Sequence, residues 1–167
     1  PGTISISASL FETLVVEIIS SLTHHGFNKI YFINGHGANI EPIRNAVNTF
    51  PEVQIRIRCW WEFDAVNSIR KSEFGDWEGM HATPSEIAIT QATHRILPPG
   101  DATKPPKKLS PSFIKAHAGD RHGPPGQHRK EFPDGRVGSH SALANSNVGR
   151  ELIDAAVTAL SNDYQTI

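Results

Sequence analysis

Apolar positions between residues 8 and 25 recur at helical spacing, with Leu10, Leu14, Val15, Ile18, Ile19 and Leu22 forming one stripe. The spacing predicts an amphipathic helix over 8–25, with Ser7 or Ser9 to cap its start and Gly26 to end it. Residues 29–33 are a short apolar run rich in β-formers, which predicts a fully buried strand. A second helix is predicted over 39–50, with Pro42 tolerated in the first turn and Ile43, Ala46, Val47 and Phe50 on the apolar face. "VQIRIR", 53–58, alternates apolar and charged residues, as a strand with one more solvated face would. Strand, helix, strand in that order asks for a parallel sheet with right-handed crossovers, and so for the α/β class.

Beyond Trp60-Trp61 the periodicity weakens. A helix is predicted over 84–91, opened by Pro84-Ser85-Glu86. Residues 97–111 hold five prolines and three lysines and read as loop. Residues 117–140 are rich in Gly, Pro and His without periodicity, so the whole of 97–140 is expected to be one long loop region inside a single domain spanning 1–167. The end, 147–162, is predicted as a helix with Asn147 as cap, followed by the apolar residues Leu152, Ile153, Ala156, Val157 and Leu160.

Composition narrows the class. The chain has 167 residues, enough for one domain with a proper core, and its 38% hydrophobic and 20% charged residues are ordinary for a soluble globular protein. A net charge of -1 and a pI near 6.9 argue against a general nucleic-acid binder. No apolar run reaches membrane-spanning length and no signal peptide is visible, so no membrane partner is expected. A single cysteine, Cys59, excludes an internal disulfide and makes a cytoplasmic setting the default. Nine histidines are many for this length. The chain opens Pro1-Gly2-Thr3 with Met80 as its one methionine, which suggests a processed chain or a piece of something longer.

The candidate chemistry starts at "NGHGAN", where His36 stands between Gly35 and Gly37 at a strand end. Ligands of open parallel sheets bind beyond the carboxyl ends of strands. A histidine there can bind a divalent metal through a neutral imidazole nitrogen, with the glycines allowing close approach. It can also be a loop histidine beside a tight turn, with Asn39 capping the next helix; on residue type alone that reading is the commoner. The glycine spacing matches neither the dinucleotide fingerprint nor the P-loop. A second cluster is Trp77, His81 and Glu86. His81 and Glu86 are five apart with Pro84 between, so they do not share one helix face. A loop histidine and a carboxylate in a first helical turn can nonetheless converge. Equally, Glu86 is what a helix start favours, and a tryptophan is more often core than substrate wall. Cys59 reads as a buried structural thiol, and no G-x-S-x-G elbow is present. His117, His122 and His128 lack tight ligand spacing and read as loop residues first, an extra metal patch second.

Four blocks, "PGTISIS", "FINGHGAN", "WEGMHATPSEIAIT" and "FPDGRVGSHSALANSNVGREL", together resemble the creatininase family of metal-dependent amidohydrolases over most of the chain. "NGHGAN" is close to the family's N-G-H-G-G-N. The last block is similar to its G-x-x-G-D-P-x-x-A-T-x-x-x-G segment, with Ser139-His140 where Asp-Pro is usual. The resemblance implies a three-layer α/β/α fold with a mainly parallel sheet. It implies two divalent metals, Zn or Mn with Fe also open, bridged by water or hydroxide, and hydrolysis of a non-peptide or small amide-type C–N bond. A homo-oligomer, a hexamer in the family, is implied too. His36 and Glu86 correspond to metal ligands, and His81 to the histidine opening the family's H-A-G-x-x-E-T-S block, a proton donor to the leaving nitrogen. Trp77 corresponds to a pocket-shaping tryptophan, and Gly37 and Asn39 fall on the substrate side. A metal that lowers the pKa of bound water from 15.7 to roughly 7 makes hydroxide available at neutral pH, and histidine suits proton delivery there.

The differences are equally specific. Gly37-Ala38 stand where creatininase itself has a Tyr-Glu pair, so creatinine is not the expected substrate. The resemblance is closer to the branch that includes deformylases of ring-opened nucleotide intermediates and peptide-trimming enzymes. E-T-S reads Glu86-Ile87-Ala88. Family members carry further ligands, a Glu-x-His and a bridging Asp, in a segment ahead of the one that Pro1 begins. The expectation is an N-terminally incomplete domain with an exposed sheet edge, weak metal binding and little activity by itself. The alternative is a non-catalytic α/β relative that binds a ligand or partner. A third reading is a nucleotide-binding domain with anion contacts at the helix that starts near Asn39.

Overall fold

The computed structural model describes residues 4–118 and 124–167. It divides into two compact units, one of residues 1–60 with 162–167, the other of residues 61–161.

The first unit begins with helix α1, Ala8–His24. Ser7 is extended and its hydroxyl accepts from the Leu10 amide at 3.2 Å, so of the two capping candidates Ser7 does the work. Gly26, at φ 84, turns the chain after the helix. Strand β1, Lys29–Asn34, helix α2, Ile40–Val47, and strand β2, Gln54–Cys59, follow. The two strands pair in parallel, Lys29 opposite Gln54 through Asn34 opposite Cys59. One sheet face carries Ile30, Phe32, Ile55 and Ile57. These close over Val15 and Ile19 of α1 and Ile43 and Ala46 of α2, the core of this unit. The predicted full burial of β1 is not observed: Ile33 is 65% exposed. Side chains alternate between faces along a strand, so Ile33 lies on the face opposite Ile30 and Phe32 and outside the apolar cluster they join.

The other sheet face is polar but not simply solvated. Arg56 and Arg58 of β2 both meet Asp163, close to the chain end. Tyr31 of β1 donates its hydroxyl to the same carboxylate at 2.8 Å, and its ring meets Tyr164 edge-on at 5.6 Å. Lys29 donates to the Ile167 carbonyl at 2.8 Å. This unit is thus three-layered: two helices, the parallel pair, and the last residues of the chain. Cys59 is buried at the end of β2.

The second unit is helical: α3, Asp64–Glu73, α4, Pro84–Thr93, α5, Pro111–His117, α6, Pro125–Glu131, and most of α7, Ser146–Tyr164. Val66, Phe74, Ala88, Val137 and Leu152 are buried here. Gly149 of α7 lies so close to α4 that a Cβ there would collide with the Ala88 carbonyl. The 97–140 region, expected as loop, contains a short helical turn, Gly100–Thr103, and the two seven-residue helices α5 and α6. Ser110 caps α5 through its hydroxyl, which accepts from the Phe113 amide, with Pro111 at the first helical position, and Pro125 opens α6. Both helices are too short for periodicity to show in the sequence. His122 lies outside the described residues.

Candidate functional site

At the carboxyl end of β1, buried Asn34 organises the turn that carries His36. Its Nδ2 donates to the His36 carbonyl at 2.7 Å and lies 3.3 Å from Cys59 Sγ. Its Oδ1 accepts from the His36 amide at 3.2 Å and from Asn39 Nδ2 at 3.3 Å. One side chain therefore closes the loop from both directions and leaves His36 extended, at φ -148, and exposed. Asn39 does not cap α2, as the loop reading expected. It ends a helical turn, Gly37–Asn39, that runs directly into α2, so its backbone is already helical and its amide goes to Asn34. A cap needs a β-region backbone, and Asn39 lacks one. Gly35 has no left-handed φ, and a Cβ on it would meet nothing within 4 Å. Room, not backbone freedom, is what this glycine leaves beside His36.

Trp77, His81 and Glu86 lie in the second unit, on one continuous segment leading into α4. Trp77 is half-buried, with the Lys108 ammonium 4.6 Å from its ring centre and His140 edge-on at 5.6 Å. Two backbone bonds fasten this segment to residues 137–140: His140 N to the Trp77 carbonyl and Met80 N to the Val137 carbonyl, both 2.9 Å. Between them Gly79, at φ 65, presses on Ser139, leaving no space for a Cβ. His81 follows, half-buried, its ring edge-on to His128 of α6 at 5.9 Å. Ala82 then takes a left-handed φ of 49, rare for a residue with a side chain, and its carbonyl accepts from Ser141 Oγ at 2.5 Å.

Glu86 sits in a capping box. Its Oε2 accepts from the Thr83 amide at 3.0 Å and the Thr83 hydroxyl at 2.9 Å, while the Thr83 oxygen accepts from the Glu86 amide at 3.1 Å. Fully buried Ser85 donates to Glu78 Oε1, which also receives Arg70 Nε at 3.0 Å. Glu78 Oε2 and His140 Nδ1 are buried without a hydrogen-bond partner among the described residues. Thr83, Glu78 and Asn34 were not singled out in the sequence, and Ser85 and His140 were noted only as a helix start and a departure from the family pattern. For Thr83 the signal was present, since T-x-x-E before an apolar run is the capping-box pattern; Asn34 carries no periodic signature.

Taken singly, the donors suit a divalent ion. An exposed imidazole at a strand end does, and so does a carboxylate with one oxygen anchored and the other outside the box, since ligating carboxylates are themselves commonly hydrogen-bonded. As a set they fall short. Among the described residues no three of His, Cys, Asp and Glu come together, whereas a zinc site takes at least three protein ligands. The described residues do not by themselves fit the metal pair that the resemblance implies.

The sequence model of one family, Creatininase: Creatinine amidohydrolase, matches residues 1–163. The chain belongs to the creatininase family. Among solved structures, a tryptophan-to-phenylalanine mutant of creatininase superposes with a TM-score of 0.70 at 18% identity, covering 99% of this chain and 66% of that one. A glutamate-to-glutamine mutant of creatininase complexed with creatine gives 0.69 at 19% identity, over 99% and 67%. A structure described as creatininase Mn gives 0.67 at 19% identity, over 99% and 66%. No curated protein matches. At these identities the superpositions establish the creatininase-like α/β fold. The chain spans about two thirds of the length of the creatininases it matches, 66% in the first case.

Proposed function

We propose that this creatininase-family protein is a metal-dependent hydrolase of a non-peptide or small amide-type C–N bond, with little activity from these residues by themselves. The observation that carries the reading is the family match over residues 1–163, within which "NGHGAN" falls at the carboxyl end of a parallel strand. In this reading His36 and Glu86 are two ligands of the metal site, and the remaining ligands come from outside the described residues. Zinc or manganese is the metal, with iron a third choice, two ions to a site; a structural relative described as creatininase Mn supports manganese. His81 delivers the proton to the leaving nitrogen. The left-handed turn at Ala82 and its bond from Ser141 aim that imidazole. Trp77, held under Lys108 and against His140, walls the substrate, and Gly37 and Asn39 border it. With Gly37-Ala38 after His36, the substrate is a small amide other than creatinine, nearer the N-G-H-G-G-N branch. The same reading includes assembly into a homo-oligomer, a hexamer by family likeness, in the cytoplasm, and no nucleic-acid or membrane partner. No helix among the described residues is long and apolar enough to cross a membrane.

A second reading is favoured by the incomplete donor set: a non-catalytic relative that keeps the scaffold and binds a ligand or partner. Elemental analysis of the purified protein beside His36→Ala tests the hydrolase. Near-stoichiometric metal that the variant loses supports the hydrolase and justifies a screen of small amides. Metal-free protein, with or without His36, means that these residues alone do not make the site, which leaves the non-catalytic relative or a hydrolase whose other ligands lie outside them.

A further inference from the structure

We infer that a cleft between α4 and the 95–102 segment is a binding site for a small apolar carboxylate. The cleft measures about 340 Å³ and lies wholly within the second unit. Pockets for small molecules start at roughly 300 Å³ and are mainly apolar with a few placed polar groups. Its walls follow that pattern. Ile87 comes from α4, Leu97 and Pro98 from the segment beyond it, and Ala142 from the turn Ser141–Leu143. Ile96 and Leu97 are 63% and 57% exposed, apolar area left in water beside a concave surface.

Charge selects the ligand. Arg95 is the one charged residue lining the cleft, and it has no hydrogen-bond or ion-pair partner among the described residues. Among the described residues no acidic side chain lines the cleft. A guanidinium beside an apolar wall matches an organic anion, and its planar fork suits a carboxylate. The neutral polar groups are mostly spent. Thr90 donates to the Glu86 carbonyl at 3.0 Å and Ser141 to the Ala82 carbonyl at 2.5 Å. Arg95, with Gln91 near it on the lining, is therefore what remains to hold a ligand's head, and the apolar wall takes its tail.

The walls are pre-built. Pro98 and Pro99 stiffen one side, and the Arg136 guanidinium holds the segment's far end through the Ala102 and Lys104 carbonyls, both at 2.9 Å. Arg136 is itself fixed by Asp134 at 2.8 Å. A site ordered before binding loses little freedom when a ligand enters.

The test is calorimetric titration of the intact protein with octanoate, with octanol and acetate as controls for tail and head alone. Saturable one-to-one binding of octanoate is expected, at least tenfold tighter than either control. Arg95→Gln, at an exposed position, should bring octanoate down to the level of octanol, and Ala142→Trp should block the cleft. Octanoate no better than octanol, or binding indifferent to Arg95→Gln, overturns the inference. If Ala142→Trp fails to fold by circular dichroism, the octanoate-to-octanol ratio in Arg95→Gln decides alone. The outcome does not depend on metal content or on amide hydrolysis, so it stands or falls apart from the proposed activity.

Discussion

Asp163 receives the Arg58 guanidinium through both carboxylate oxygens, Nη2 to Oδ1 at 3.0 Å and Nε to Oδ2 at 3.1 Å, and this two-point contact fastens the chain end to the second strand. Chiefly through that bond, the Asp163 carboxyl is held down from its usual 3.8 to about 2. A lowered carboxylate pKa stabilises the fold above the unfolded value and stops doing so as pH falls through the folded one. The contribution is therefore lost between about pH 4 and pH 2. Allowing for the partly exposed Arg58, it amounts to about 1 to 2 kcal/mol. Asp163→Asn should cost that much at pH 7 and clearly less at pH 2, where the carboxyl is about half protonated, read from urea midpoints at each pH.

Tyr31 gives the opposite limb. Burial, and next its hydrogen bond to Asp163, push its hydroxyl from 10.0 up to about 12. A raised pKa stabilises below the unfolded value and fails as pH climbs toward the folded one, so this contribution disappears between about pH 10 and pH 12. Tyr31→Phe should flatten the alkaline limb of a melting-temperature profile and, because the Tyr31 hydroxyl also helps hold the Asp163 carboxyl down, weaken the acid limb by a smaller amount.

Gly79→Ala should be among the most damaging single changes to the second unit. The residue is at φ 65 and its Cβ would strike Ser139, which is fully buried and cannot yield. A loss of about 2 to 4 kcal/mol is expected from strain and overpacking combined. Gly135→Ala is the control: it shares a positive φ of 80 but has nothing within 4 Å, so strain alone acts and the loss should be about 1 kcal/mol. Denaturant unfolding of the two variants compares them directly.

The two roles of Glu86 can be separated. Thr83→Ala removes the box partner and should cost about 1 kcal/mol of stability. Glu86→Gln keeps an oxygen for the Thr83 amide and should change stability by less, about 0.5 kcal/mol. If Glu86 also ligates metal, the same Glu86→Gln protein should hold markedly less metal than wild type by elemental analysis. Equal metal in both would leave Glu86 a cap and nothing more.

Ala82→Gly should relieve the left-handed turn after His81. A gain of up to about 1 kcal/mol in stability is expected, offset in part by the freer unfolded chain. A thermal melt against wild type measures it; a loss instead would mean that the Ala82 methyl is packed rather than strained.

What the sequence made legible was what repeats. The helix α1 and the order strand, helix, strand follow from periods of 3.6 and 2, and the Gly26 stop from its residue type. Of the predicted α1 stripe, however, only Val15 and Ile19 are buried while Leu10, Leu14 and Ile18 are exposed, and the sequence left the cap open between Ser7 and Ser9. The degree of burial of β1 did not follow either, because it depends on what covers each face of the sheet, and Ile33 lies on the face away from the helices. α5 and α6 escaped because one or two turns carry too little pattern, although Ser110-Pro111 was a start signal. Asp163 escaped for another reason: its partners are more than a hundred residues upstream, and the alternation of β2 says only that Arg56 and Arg58 share a face. In the candidate site, His36, His81 and Glu86 stood out by residue type and family likeness. The residues that hold them, Asn34, Ser141 and Thr83, are small polar side chains whose purpose shows only in the hydrogen bonds they make.

Cys59 gives the molecule a built-in clock. It is the single thiol of the chain, it is 1% exposed, and it terminates the strand that completes the first unit's sheet. A water-soluble alkylating reagent reaches its sulfur only when the structure around the end of that strand opens, so the rate of labelling reports that opening without any engineered probe. Run alongside the urea curves, it would time the opening at one known position, since the chain has no other thiol to answer.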